Sequence, residues 1–126
     1  MIRKILIGLA VLTANLAWAQ APACFEPAQR FDARFVGNWE IAQWQVRYSI
    51  RQDGRQVCLY ARDVAANEWF QISGLAWDGK TLSGTFLLPS TKWRTESRLT
   101  LLDGDRIRDE YRHPDGETVD VWTRRR

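Results

Sequence analysis

The sequence predicts an all-β protein: an eight-stranded antiparallel up-and-down barrel, with a two-sheet β-sandwich as the alternative closure. Three observations predict it. Four Asp-Gly pairs (Asp53-Gly54, Asp78-Gly79, Asp103-Gly104 and Asp115-Gly116) punctuate the chain, and the first three recur every 25 residues. Each lies between β-rich runs, where Asp-Gly marks a hairpin because Gly takes φ > 0 without steric cost. Between the pairs, apolar and charged residues alternate with period two, and no useful stretch carries a helix period.

Residues 1–19 read as a signal peptide rather than as part of the fold. Arg3 and Lys4 form a basic head, residues 5–16 a mostly apolar run, and Ala17-Trp18-Ala19 the small-x-small form of a peptidase site. Cleavage near Ala19 predicts a periplasmic or secreted protein. The apolar run is too short for a membrane span and no later stretch is apolar enough, so the chain is not expected to span a bilayer. Residues 20–36, with Pro22, Pro27 and the scattered Phe25, Phe31 and Phe35, are expected to be an irregular segment packed over the barrel wall or mouth. The barrel domain is assigned to 37–126. Its strands are expected at 38–44, 46–51, 55–61, 68–76, 80–88, 93–101, 105–112 and 117–124.

Hairpin registers assign the faces. A two-residue Asp53-Gly54 loop pairs Ile50 with Val57 and Tyr48 with Leu59. A three-residue loop at Trp77-Asp78-Gly79 pairs Phe70 with Phe86. A three-residue loop at Leu102-Asp103-Gly104 pairs Leu99 with Ile107. It sets Arg98 against Arg108, but keeps Gly104 left-handed, and is preferred over a two-residue slide for that reason. A three-residue Pro114-Asp115-Gly116 loop pairs Tyr111 with Val119 and Asp109 with Val121, turning Trp122 outward. The interior then holds Tyr48, Ile50, Val57, Leu59, Phe70, Ile72, Leu82, Phe86, Trp93, Leu99, Leu101, Ile107, Tyr111, Val119 and Val121. Arg94, Glu96, Arg98, Arg106, Arg108, Glu110 and Arg112 decorate the exterior. Charges outside and aliphatics inside argue against an outer-membrane barrel, which reverses the two.

Loss of residues 1–19 leaves 16 basic against 15 acidic residues. A nearly neutral chain is a poor general nucleic-acid binder. Cys24 and Cys58 are the only cysteines, and export predicts one disulfide between them. A lipid-modified Cys24 is disfavoured, because Ala21-Pro22-Ala23 before it lacks the Leu such signals prefer and carries a Pro. Two thiols and one His are too few for a zinc site, and no metal or cofactor is expected.

Phe35-Val36-Gly37-Asn38-Trp39 opens the first strand with Gly-x-Trp. With the hairpin ladder, this resembles the lipocalin and calycin superfamily of small β-barrels. The resemblance implies that Trp39 plugs the closed barrel base, with Arg124 or Arg125 laid across it as a structural cation–π cover. The chain is shorter than the usual members, and lacks their C-terminal helix and Thr-Asp-Tyr motif.

Asp109 is the first residue to inspect. Alternation puts its carboxyl on the core face, where burial raises a carboxylate's pKa unless a partner compensates. With Trp93, Ser97, Tyr111 and Thr123 it is a candidate ligand anchor; a hydrogen-bonded structural Asp is the other reading. The expected function is the binding of a small apolar ligand in the interior through Tyr48, Phe70, Phe86, Trp93, Ser97, Asp109 and Tyr111. The alternative is an envelope protein–protein interaction module, an inhibitor or assembly factor, acting through exposed Trp and Arg residues. Enzymatic activity is not expected. His113 sits beside Pro114 at a turn, no Ser or Cys has a nucleophile motif, and Asp109 and Glu110, adjacent on a strand, point to opposite faces.

Overall fold

A computed structural model describes residues 22–126; the signal peptide assigned to 1–19 lies outside the described residues. Ten strands form one antiparallel sheet: β1 (Ala23–Phe25), β2 (Gly37–Ile41), β3 (Val46–Asp53), β4 (Gln56–Asp63), β5 (Glu68–Trp69), β6 (Gln71–Trp77), β7 (Leu82–Leu88), β8 (Trp93–Asp103), β9 (Arg106–His113) and β10 (Gly116–Arg125). Nine lie in the order β1-β4-β3-β2-β10-β9-β8-β7-β6, and β5 pairs with β4. The chain therefore runs up and down, and β10 returns to β2 through Arg124 opposite Trp39. All eight expected strands are present. The fourth is divided into β5 and β6, and β1 is additional.

The result is a nearly closed barrel, which leaves few exposed strand edges. Its seam lies between β4 and β6. Near the mouth, β5 pairs with β4 and the Phe70 amide donates to the Ala61 carbonyl at 2.9 Å. Further down, β6 leaves β4, and β1 occupies that length of β4, with Cys24 opposite Cys58 and disulfide-bonded to it. Residues 23–25, expected to be irregular, are thus a strand.

The three evenly spaced Asp-Gly turns share one end, because each repeat is one strand up and one down. That end is closed. Trp39 is fully buried and its indole N–H donates to the Phe35 carbonyl at 2.9 Å. The Arg124 guanidinium lies 4.2 Å above the Trp39 ring and donates to the carbonyls of Arg34, Val36 and Gly104. Gly37 has φ 144°, and a Cβ there would collide with Arg124. The Gly-x-Trp pattern thus leaves room for the arginine that covers the tryptophan. Phe31 and Phe35 each meet Trp77 edge to face, and the Trp77 indole donates to the Arg30 carbonyl. The segment before β2 therefore seals the base, not the mouth, and Trp77 is a buried strand end rather than an exposed turn residue.

Every hairpin register differs from expectation. Gly54, at φ 61°, is the first of two loop residues, so Ile50 faces Leu59. A bulge around Gly74, at φ 64°, lets Ile72 face Phe86 and Trp77 face Leu82. Arg98 faces Glu110 and Glu96 faces Arg112. The charge-alternating slide is therefore the one adopted, and an irregularity at Leu102 replaces a left-handed Gly104. These three shifts keep the faces.

The last hairpin does not. His113 sits opposite Gly116, so the loop is Pro114-Asp115 alone, one residue shorter than expected. A one-residue slip turns every side chain over. Val119 and Val121, expected inside, are 50% and 39% exposed, whereas Trp122, expected outside, is fully buried. Area favours this. Burying an indole contributes about 4–6 kcal/mol, against about 1.5 kcal/mol for each valine. The indole also stacks on Tyr48, with ring centroids 3.6 Å apart, and donates to Asp109. Thr123 consequently faces solvent, away from Asp109.

Candidate functional site

The end opposite Trp39 is open and leads into a cavity of about 380 Å³. Tyr48, Phe70, Phe86, Trp93, Ser97, Asp109 and Tyr111 all line it, together with Asp63 and Asp120. Period-two alternation places them. β8 sends Trp93, Thr95 and Ser97 inward, and β9 sends Asp109 and Tyr111. Trp44, in the short turn after β2, and Trp93 stand at the rim, 56% and 37% exposed. Tyr48 and Phe86 meet edge on, as do Phe70 and Phe86, forming an aromatic wall.

Asp109 lies at the floor, 3% exposed. Its Oδ2 accepts the Trp122 indole N–H at 3.0 Å, and its Oδ1 has no hydrogen-bond partner in the protein. Burial pushes its pKa up to about 7; the polar groups of Ser97 and Trp122 oppose the shift in part, and the charge of Asp120 adds to it. Asp120 stands directly across from Asp109 on β10 and accepts the Tyr111 hydroxyl at 2.7 Å. Burial, followed by this hydrogen bond, raises the Tyr111 hydroxyl, and burial together with the nearby acids raises that of Tyr48. The floor is thus a pair of facing carboxyl groups. One of them is poised to gain or lose a proton near neutrality, and the aromatic hydroxyls beside it stay protonated.

The inside-outside alternation of β3 to β9 brings the seven expected residues together. Asp120 was missed because the expected loop put it on the outer face. His113, placed by the sequence at a turn, ends β9: it is half-buried, stacks on Trp93, and shares a hydrogen bond with Thr118 at the rim. Trp69 is half-buried on the outer face, with Tyr60 edge-on and Arg62 over its ring. A larger groove of about 610 Å³ crosses the outer faces of β7 to β10. Its walls alternate Glu96, Arg98, Glu110 and Arg112, which stand in opposite-charge register across β8 and β9, and Glu110 and Arg112 are ion-paired with Arg108 and Glu117.

Among the described residues, no helix is long and apolar enough to cross a membrane. Compared with protein-family models, curated proteins and solved structures, the chain gives no match.

Proposed function

We propose that the protein is a lipocalin-like binding barrel whose interior takes one small ligand with an apolar body. The observation that carries this reading is the open cavity with an aromatic wall and a polar floor. Its volume, about 380 Å³, lies in the lower part of the range for ligand pockets. Mostly apolar lining with a few convergent polar groups is the usual composition of such sites. Gly37-x-Trp39 beneath Arg124 supports the lipocalin-like reading of the barrel. The Cys24–Cys58 bridge supports a working place in an oxidising compartment, periplasmic or extracellular.

The alternative, an interaction module using exposed tryptophans, has less support. Trp122 is buried, and the exposed Trp44 and Trp93 belong to the cavity rim.

The test is uptake of the neutral apolar probe N-phenyl-1-naphthylamine, read by probe emission and tryptophan quenching. Micromolar, saturable uptake is expected, and Thr95→Trp, which fills the cavity from its rim, should abolish it. No uptake by the native protein, together with no co-purified small molecule in native mass spectrometry, overturns the proposal.

A further inference from the structure

We propose that the cavity selects a small organic cation, a protonated amine on an apolar body, whose ammonium group seats at the Asp109–Asp120 floor. This rests on the reading of the barrel interior as a binding site. Charge complementarity carries it. Three carboxyl groups, Asp63, Asp109 and Asp120, line the cavity, and among the described residues no Lys or Arg lines it. Asp63 is engaged at the mouth, where its Oδ1 accepts the Ala66 amide. Asp120 holds the Tyr111 hydroxyl. Asp109 is the group with unused capacity: it is almost completely buried, and its Oδ1 has no partner.

A buried acceptor without a donor is costly, and a ligand that supplies one recovers that cost. A neutral alcohol brings one donor and no charge, an anion meets repulsion, and an ammonium brings three donors and the complementary charge. The aromatic rings of Tyr48, Phe86 and Trp93 that line the cavity suit both an apolar body and a cation. A metal ion fits less well. Among the described residues, no group of three or more His, Cys, Asp or Glu converges on a point, and hard cations take six or more oxygen ligands.

The titratable groups facing Asp109 are Asp120 from β10, Tyr111 on its own strand and Tyr48 from β3, beside the neutral Ser97 hydroxyl of β8 and Trp122 indole of β10, with no cation among them. At pH 6 most Asp109 carboxyls carry a proton, because burial raises the pKa to about 7. Seating an ammonium there then releases that proton to solvent: the carboxylic acid and the ammonium become a carboxylate–ammonium pair plus H⁺. Affinity should therefore rise with pH by roughly tenfold per unit below 7, and level off above it.

The test compares 2-phenylethylamine, its neutral isostere 2-phenylethanol and the anion 3-phenylpropanoate by calorimetry on the disulfide-bonded protein. The amine is expected to bind at least tenfold more tightly than either of the others. At pH 6, in buffers of different ionisation enthalpy, its binding should release close to one proton. Asp109→Asn should remove both the preference and the proton release. Asp120→Asn, at a half-buried position, should reduce the preference independently. Equal affinities for amine and alcohol overturn the cation inference and leave the binding-barrel reading standing. No binding by any of the three, alongside no uptake of N-phenyl-1-naphthylamine, overturns both.

Discussion

Asp109 links stability to pH in a direction opposite to most carboxylates. Its folded pKa, about 7, lies above the unfolded value of 3.8. The folded state therefore holds the proton more tightly, and the stability this provides is present at low pH and lost as pH rises through 7. Between pH 5 and pH 8 the loss is about 2–3 kcal/mol. Asp109→Asn keeps an acceptor for Trp122 and cannot ionise. Urea unfolding should show its stability, relative to the native protein, rising by that amount over this interval; a constant difference would show that Asp109 ionises freely in the folded state. Gly37 and Arg124 act as one unit, since a methyl at Gly37 displaces the guanidinium from Trp39. Gly37→Ala and Arg124→Ala should each cost about 2–3 kcal/mol, the former partly through its φ of 144°. The double variant should cost clearly less than their sum, because both remove the same packing. Asp109 was legible from alternation alone, as was the Gly-x-Trp pair. The identity of its partner was not, because Asp120 sits beyond a turn whose length local chemistry did not settle.

That turn shows where strand-by-strand reading reaches its limit. Pro114-Asp115-Gly116 satisfies the preferences of a three-residue loop, yet the chain closes on two, because the shorter loop brings Trp122 under Tyr48. The decisive energy lies in contacts between β10 and β3, which no local preference contains. The 103–106 turn teaches the converse. Its alternating Glu96, Arg98, Glu110 and Arg112 were visible in the sequence, and cross-strand charge pairs outweighed the preference of one glycine for φ > 0. The β10 register has a direct test. Trp122→Ala should cost about 3–5 kcal/mol, the range for emptying a large buried aromatic site. Val119→Lys and Val121→Lys, on the solvent face, should each change stability by less than about 1 kcal/mol. The three-residue loop requires the reverse ordering, so chemical denaturation of these three variants separates the two registers.

The barrel closes by two different devices, and they lie at different heights on the seam. Toward the mouth, β5 and the Phe70 amide continue the hydrogen-bonding of β4; toward the base, only the three residues of β1 lie against it. A three-residue strand has little cohesion of its own. The Cys24–Cys58 bridge therefore does what the ladder cannot, holding β1 along β4 and leaving little of that edge unpaired. It closes a sequence separation of 34 residues, and in the chain-entropy account such a loop contributes about 3–4 kcal/mol. Reduction, or the double change Cys24→Ala and Cys58→Ala, should lower the unfolding free energy by about that amount. Hydrogen exchange locates the effect more sharply than the total. Amides of β1 and of β4 at 57–59 should lose protection first, while those of β8 and β9 keep theirs, because their pairing does not involve β1. The cavity is lined from the mouth half of the barrel, where β5 and Phe70 hold the seam without the bridge. Uptake of an interior probe at a temperature where the reduced protein stays folded should thus match that of the oxidised protein within about twofold. Loss of uptake on reduction, with β8 and β9 still protected, would show instead that the β1 seam shapes the cavity, and that the two ends of the barrel are mechanically coupled.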